Sequence, residues 1–326
     1  GVRERAALLV RLGQTVYRTG DYAAARARLD EGLSLARVAG DRQTETAALT
    51  WLGDVASRQG SFETAQRNLQ AGLALAQECG DPAGQALALR GLATVAWQRG
   101  ELEQASRWAE QSRMLSSQLG DRQGVGAALN ILGVVTQETR DLEKAAGYLT
   151  ESLALAREIG DRRGMALALN NLGEVARFQT AYEKACTYYE QCRAISEEIG
   201  DAVGLAIAMM NLGDVCITQD QDSAAWGYLR SALKDTFVIQ SIPYVLGALV
   251  LVARLRIRAG QYEQAAELLG LALRHPASDS QTAQAARPVL ALLREALPPD
   301  QLEAAMACGA ALNLEQVVAG ILAESA

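Results

Sequence analysis

The chain has 326 residues, with 31 basic and 38 acidic side chains and a formal net charge of −7. This acidic balance argues against a nucleic-acid-binding surface, which usually presents a basic face. The longest apolar stretch, residues 237–253, is interrupted by Ser241, Pro243 and Gly247, so no membrane-spanning helix is predicted.

A unit of 40 residues repeats along the chain. A Gly-Asp pair closes each of the first five units, at Gly40-Asp41, Gly80-Asp81, Gly120-Asp121, Gly160-Asp161 and Gly200-Asp201. A Leu-Gly pair lies in the first half of five units, at Leu12-Gly13, Leu52-Gly53, Leu132-Gly133, Leu172-Gly173 and Leu212-Gly213. One alanine position in the second half is kept in all seven units, at Ala25, Ala65, Ala105, Ala145, Ala185, Ala225 and Ala265. This register predicts a stack of copies of one structural unit.

Each unit has the pattern of two amphipathic helices, as residues 161–200 illustrate. Leu169, Leu172 and further apolar residues recur at helical spacing on one face of the first helix, and the second helix repeats the pattern. Gly200 is expected to end the second helix, because glycine adopts the left-handed conformation without steric cost. Asp201 then suits the N-cap of the next helix. A single hairpin of this kind cannot bury its apolar faces, so it needs a copy on each side.

We therefore expect an all-α chain of about seven hairpins followed by a C-terminal helical cap. The hairpins are predicted at residues 1–40, 41–80, 81–120, 121–160, 161–200, 201–240 and 241–275, and the cap at residues 276–326. Pro298-Pro299 and the N-cap signal of Asn313 divide the cap into three short predicted helices. The first hairpin lacks a polar N-terminal face, so we expect it to pack against a preceding part of the polypeptide.

The repeated motif, Leu-Gly followed by Gly-x-[Tyr/Phe/Leu]-x-x-Ala, resembles the tetratricopeptide repeat (TPR), whose usual unit has ~34 residues. The longer unit is similar to those of spindle-orientation scaffolds and of bacterial regulatory ATPases of the STAND type. The pattern from Leu302 to Ala323 also resembles the tail of the sensor regions in those ATPases. The resemblance implies a right-handed α-α superhelix, a TPR solenoid with a concave inner surface, and it does not imply a particular ligand.

Few residues in the sequence suit catalysis or the binding of a metal or cofactor. There is no phosphate-loop motif, and His275 is the single histidine, which removes His-based metal clusters and most acid–base pairs. Cys186 and Cys192 are expected to fill the core, with a redox pair as the alternative. Five cysteines, an odd number, favour reduced thiols and a cytoplasmic location. We expect no enzyme activity, no metal and no cofactor.

The concave surface is the candidate site. In TPR arrays the first helix of each pair lines this surface, and asparagine there offers donors and an acceptor to a peptide main chain, while Arg and Trp act as anchors. The candidate partner-binding residues are Arg90, Trp97, Asn130, Asn170, Asn171, Glu174, Arg177, Asn211 and Asp214. The alternative is that they are ordinary solvated helix positions. The lysines of the carboxylate clamp in chaperone-binding TPRs are absent from these columns, which argues against capture of a C-terminal carboxylate by that clamp.

Two functions remain open at this point. The first is the sensor region of a STAND-type signal-transduction ATPase or transcriptional regulator. That region would bind an inducer or partner protein and would follow a nucleotide-binding domain of the same polypeptide. The second is a free-standing scaffold that assembles protein partners. Neither function predicts binding to nucleic acid or to a membrane.

Overall fold

The computed structural model describes residues 1–278 and 280–324. Within these ranges the chain forms α-helices and turns without a β-strand, which confirms the predicted all-α class. The helices are α1 (Val2–Arg18), α2 (Tyr22–Val38), α3 (Arg42–Arg58), α4 (Phe62–Glu78), α5 (Pro82–Gln98), α6 (Leu102–Gln118), α7 (Arg122–Glu138), α8 (Leu142–Glu158), α9 (Arg162–Phe178), α10 (Tyr182–Ile199), α11 (Ala202–Thr218), α12 (Asp222–Val238), α13 (Ile242–Arg258), α14 (Tyr262–Arg274), α15 (Ser280–Ala296), α16 (Pro299–Ala310) and α17 (Leu314–Ala323).

The helices associate in chain order as hairpins, α1 with α2, α3 with α4, and so on to α13 with α14. This arrangement is the predicted helical solenoid. The chain divides into two compact units, Gly1–Asp201 and Ala202–Ala326, so the first unit holds α1–α10 and the second begins at α11. The predicted division into seven repeats and a separate cap from residue 276 stays a prediction, as does the hand of the superhelix.

The Gly-Asp turns end one helix and start the next. Gly160 adopts a φ of +69°, which glycine tolerates and most residues do not. The Asp161 carboxylate then accepts a hydrogen bond from the backbone N–H of Gly164 at 2.9 Å, and Asp81 accepts one from Gly84 at 3.0 Å. A Cβ added at Gly84 would lie 2.6 Å from Asp81 Oδ2, so the glycine three residues after the aspartate leaves room for the cap. Asp41, Asp81, Asp121 and Asp161 are helix caps, as expected.

The Leu-Gly motif brings the two helices of a hairpin into close contact. A Cβ on Gly13 would lie 2.7 Å from Cγ of Leu29, and one on Gly133 would lie 2.6 Å from Cγ of Leu149. Both leucines are fully buried. A side chain at Gly13 or Gly133 would overpack its hairpin unless the facing leucine moved, so these glycines serve the close packing of the two helices.

The first unit has two layers of helices. Besides its neighbours in the chain, each odd-numbered helix from α1 to α7 also contacts the next odd-numbered helix. The even-numbered helices of this unit show no comparable contact with one another among the described residues. The odd-numbered layer is therefore the more closely spaced one, as expected for the inner side of a curved stack of hairpins.

The second unit buries its own core. Val245, Leu249 and Leu269 are fully buried there, together with Val289 of α15 and Val318 of α17. Helices α15 and α16 pack on α14, and α17 packs on α12. Of the three helices that were predicted to be short, α15 is as long as the repeat helices, with 17 residues.

No single helix in the described parts of the chain is long and apolar enough to cross a bilayer. Helices α16 and α17 meet the length and composition requirement only when they are taken together, and they are bent by 102° at their junction. Residues 1–278 and 280–324 also contain no group of three or more His, Cys, Asp or Glu side chains that could hold a metal ion.

Candidate functional site

All nine predicted site residues lie on odd-numbered helices and are half-buried. Seven belong to the first unit and lie on α5, α7 and α9, which are consecutive members of its closely spaced layer: Arg90, Trp97, Asn130, Asn170, Asn171, Glu174 and Arg177. The other two, Asn211 and Asp214, lie on α11 in the second unit. Their exposure is compatible with a binding role, and that role stays a prediction for each of them.

Three asparagines form a chain of amide hydrogen bonds across α7 and α9. Asn171 Nδ2 donates to Asn130 Oδ1 at 3.1 Å, and Asn170 Nδ2 donates to Asn171 Oδ1 at 3.3 Å. Asn130 Nδ2 donates no hydrogen bond to any described residue. Its side chain is half-buried and remains accessible to a ligand. The amide chain therefore ends at Asn130, whose amide N–H groups can donate hydrogen bonds to a carbonyl oxygen of a ligand.

Three side-chain hydrogen bonds between odd-numbered helices of the first unit join residues that are 41 positions apart. Asn130 and Asn171 have this separation. So do Tyr17 and Arg58, whose Nε donates to the tyrosine hydroxyl at 3.1 Å. Ser57 also donates a hydrogen bond to the side-chain oxygen of Gln98 at the same offset. The repeat length is 40, so in these three pairs each residue bonds to the residue one position after its own equivalent in the next repeat.

The side chain of Tyr189 extends from α10 to α9. Its ring is fully buried beside Gly173, and its hydroxyl donates to the carboxylate of Glu174. Arg177 donates to the other oxygen of that carboxylate at 2.7 Å. Burial and the adjacent Glu174 raise the pKa of the Tyr189 hydroxyl far above its ordinary value, so it stays protonated as a donor. Glu174 is thus held between a tyrosine and an arginine.

Arg177 is fixed further by an aromatic ring. Its guanidinium carbon lies 4.6 Å from the centroid of Phe178, and that of Arg140 lies at the same distance from the same ring. Burial acts to lower the pKa of Arg177, but the ion pair and hydrogen bond with Glu174 raise it above the ordinary value. Arg177 therefore stays charged at any physiological pH, and the ring restricts where its charge can lie.

The predicted anchors on α5 are engaged within the first unit. Arg90 forms an ion pair with Asp54 of α3, with 3.9 Å between nitrogen and oxygen. Burial raises the pKa of Asp54, and the charges of Arg90 and Arg58 oppose the shift without cancelling it. Trp97 packs against the apolar cluster that contains Val135. Arg90 and Trp97 thus have partners within the first unit in addition to their predicted contacts with a ligand.

In the second unit, Asp214 of α11 forms an ion pair and a hydrogen bond with Arg254 of α13. Both side chains are half-buried, with 16% of the aspartate and 27% of the arginine exposed. The two residues occupy the same position in successive repeats. Like Arg90 in the first unit, Asp214 is engaged by a charge from a neighbouring repeat.

Tyr189 was missed as a functional candidate because it lies on a second helix of a hairpin. The sequence does carry a signal for it. The positions equivalent to Tyr189 in the other repeats of the first unit are Leu29, Leu69, Ala109 and Leu149. A tyrosine among these apolar residues adds one hydroxyl to an otherwise apolar seam, and such a buried hydroxyl usually has a hydrogen-bond partner.

The sequence matches the family model of the tetratricopeptide repeat at residues 4–78, 43–118, 84–158 and 164–234. The chain belongs to the tetratricopeptide repeat family. As a TPR array it is a protein-interaction module, and the TPR fold is in general a non-catalytic scaffold. No curated protein is similar enough to count as a relative of this TPR chain.

Several solved structures share the fold. A Rap protein complexed with Competence and Sporulation Factor superposes with a TM-score of 0.68 at 16% identity, over 98% of this chain and 99% of its own. A STAND protein with a tetratricopeptide repeat sensor from Pyrococcus horikoshii gives 0.60 at 16% identity, over 97% of this chain and 49% of its own. The apo form of RapI gives 0.59 at 13% identity, over 89% and 99%. At these identities the likeness concerns the fold of the TPR chain.

Proposed function

We propose that this TPR chain binds a segment of a protein partner on the inner layer of its first unit, formed by α5, α7 and α9. The observation that carries the proposal is the amide chain from Asn170 through Asn171 to Asn130, in which the Asn130 amide donates to no described residue. Backbone carbonyls are present in every peptide, so amide donors on a curved surface suit an extended segment of any sequence.

The charged residues of the same layer set the orientation of the bound segment and favour segments with matching charges. Arg177 is held by Glu174 and Phe178, and Arg90 is held by Asp54. A charge that is already fixed in position loses little conformational freedom when a ligand arrives, so it contributes more to affinity than a mobile side chain does. Asn211 and Asp214 lie in the second unit, and partner binding by these two residues stays a separate prediction.

We propose further that this recognition serves as the sensor step of a STAND-type signal-transduction ATPase or regulator. The likeness to the STAND protein supports this role, because the TPR chain corresponds to about half of that protein. In this proposal a nucleotide-binding domain of the same polypeptide precedes the repeats. Ligand binding to the TPR array would then be relayed to that domain.

A free-standing adaptor is the second candidate function. The likeness to the Rap protein favours it, because nearly the whole of both chains superposes and that protein was solved with a bound factor. The gene distinguishes the two functions: a phosphate-loop ATPase encoded in frame upstream supports the sensor, and a start codon close to Gly1 supports the adaptor.

Selection of a phage-displayed library of random 12-residue peptides on the chain provides a probe for the inner layer. Titration calorimetry would then compare the wild type with the Asn130→Ala, Asn171→Ala double variant. Each lost hydrogen bond is worth ~0.5–1.5 kcal/mol, so the selected peptides should bind about 10-fold more weakly. Gln70→Ala, at an exposed position of α4, is the matched control. Unchanged affinity in the folded double variant would show that peptides are bound elsewhere.

A further inference from the structure

The first helix of the chain carries an exposed apolar stripe. Leu8 and Leu12 lie one turn apart on α1, and they are 67% and 43% exposed. Both are among the large apolar side chains of this protein that solvent can reach. Leu12 is also the leucine of the Leu-Gly motif, which elsewhere lies inside the stack.

The same two positions are buried in the next four repeats. The equivalents of Leu8 are 0% exposed, at Ala48, Ala88, Ala128 and Ala168. The equivalents of Leu12 are 1–6% exposed, at Leu52, Leu92, Leu132 and Leu172. In each case the second helix of the preceding hairpin packs against the helix that carries them, α2 on α3, α4 on α5, α6 on α7 and α8 on α9. One type of junction therefore covers this stripe four times within the first unit.

We infer that the exposed stripe of α1 is a docking surface for one further helical hairpin of the same repeat type. That hairpin would belong to the same polypeptide, and its second helix would cover Leu8 and Leu12. The inference rests on continuity with the four junctions that the structure contains. It is independent of the proposed ligand, because the stripe lies at the end of the stack rather than in the amide chain.

The apolar pattern of the docking helix is inferred from α2, α4, α6 and α8, which cover the equivalent stripe at the four junctions. Helix α8 presents Leu149, Leu153 and Ala156 as buried residues, and α2 presents buried residues at the equivalent positions. The docking helix should therefore carry an apolar stripe with the spacing Leu-x-x-x-Leu-x-x-Ala. Leu8 is larger than the alanines at its equivalent positions, so the docking helix must leave room for an isobutyl group.

A second copy of the chain does not offer such a helix. In the second unit α14 is the last second helix of a repeat hairpin, and α15 and α16 cover it. Helix α12 is contacted by α13 and α17. Within residues 202–278 and 280–324, both candidate helices are thus already packed, and for this reason we assign the docking partner to the chain's own polypeptide.

An in-register fusion tests the inference. A copy of residues 121–160 is placed directly before Gly1, so that its last glycine precedes α1 as Gly160 precedes α9. The fusion is made with Leu8 and with Leu8→Ala, which restores the small residue. Stacking should slow hydrogen exchange of the α1 amides by about 10-fold or more and raise the melting temperature, because apolar area is removed from water at the terminal helix.

The control is the same fusion with Leu153→Glu in the appended copy only, which should return α1 exchange to the rate of the unfused chain. If both fusions leave α1 exchange unchanged, the surface does not receive a hairpin and the inference is wrong. Light scattering of the unfused chain, with and without Leu12→Glu, provides the second readout. A monomer in both is expected, whereas a dimer that Leu12→Glu dissociates would assign the surface to a second copy and overturn the inference.

Discussion

The ring of Tyr189 lies directly against the backbone of Gly173, so that a Cβ at residue 173 would come within 2.7 Å of the ring carbon Cδ1. This contact places a tyrosine where other repeats of the first unit have leucine or alanine. Only because residue 173 has no side chain can the tyrosine hydroxyl reach Glu174, the next residue of α9. A packing motif thus also positions a carboxylate on the inner layer.

Gly173→Ala should destabilise the protein. The added methyl group overlaps the ring, and such overpacking costs about 1–3 kcal/mol, although alanine itself favours a helix over glycine. Gly147→Ala is the matched control, because Gly147 lies within α8 and a Cβ there meets nothing within 4 Å. That variant should gain up to about 1 kcal/mol. Thermal denaturation of both variants checks the opposite signs, and equal effects would contradict the proposed contact.

Tyr189→Phe should lower the melting temperature and leave the helical content unchanged. The variant keeps the ring but removes the hydrogen bond to Glu174, and a hydrogen bond to a charged group contributes about 1.5–3 kcal/mol. Tyr188→Phe on the same helix is the control, since the Tyr188 hydroxyl makes no hydrogen bond with the described residues. Comparable melting temperatures for the two variants would mean that the Glu174 contact contributes nothing to stability.

Asp54→Asn should stabilise the protein at neutral pH. Burial raises the pKa of Asp54 in the folded state, and a raised carboxyl pKa favours the protonated form. Its contribution to stability is therefore complete below the unfolded-state pKa and is lost as pH rises through the folded-state pKa. Asparagine mimics the neutral form at every pH. Melting curves between about pH 7 and pH 4 should converge as the pH falls towards the ordinary aspartate value; a lower melting temperature for the variant at pH 7 would show that the Arg90 ion pair dominates.

Cys192 should resist thiol reagents in the folded protein. The side chain is buried within α10, and burial raises the pKa of its thiol to about 11, so only ~0.1% is thiolate at pH 8. Cys79 and Cys308 are exposed and should react first. Peptide mass spectrometry after iodoacetamide treatment, with and without denaturant, measures this order. Rapid labelling of Cys192 without denaturant would show that the α9–α10 hairpin opens readily.

Much of the architecture was predictable because the repeat is local. Helix starts and ends depend on a few adjacent residues, such as Asp161 capping Gly164 after the turn at Gly160. The repeat register also placed seven of the candidate residues on one layer of the first unit. These features follow from helical periodicity and from the conformational freedom of glycine, which any single repeat already contains.

The inner surface itself depended on tertiary structure. The sequence aligns Asn130 with Asn170, but the hydrogen bond joins Asn130 to Asn171, because α7 and α9 are shifted by one residue against each other at this point. The hydrogen bond from Tyr189 to Glu174 likewise joins α10 to α9. It depends on the space beside Gly173, which exists only when the two helices are packed together. The sequence by itself therefore determined the helices, their pairing and the repeat, since these depend on contacts between nearby residues. Only the packed chain decided which side chains hold one another, because that depends on how adjacent helices are rotated and shifted against each other.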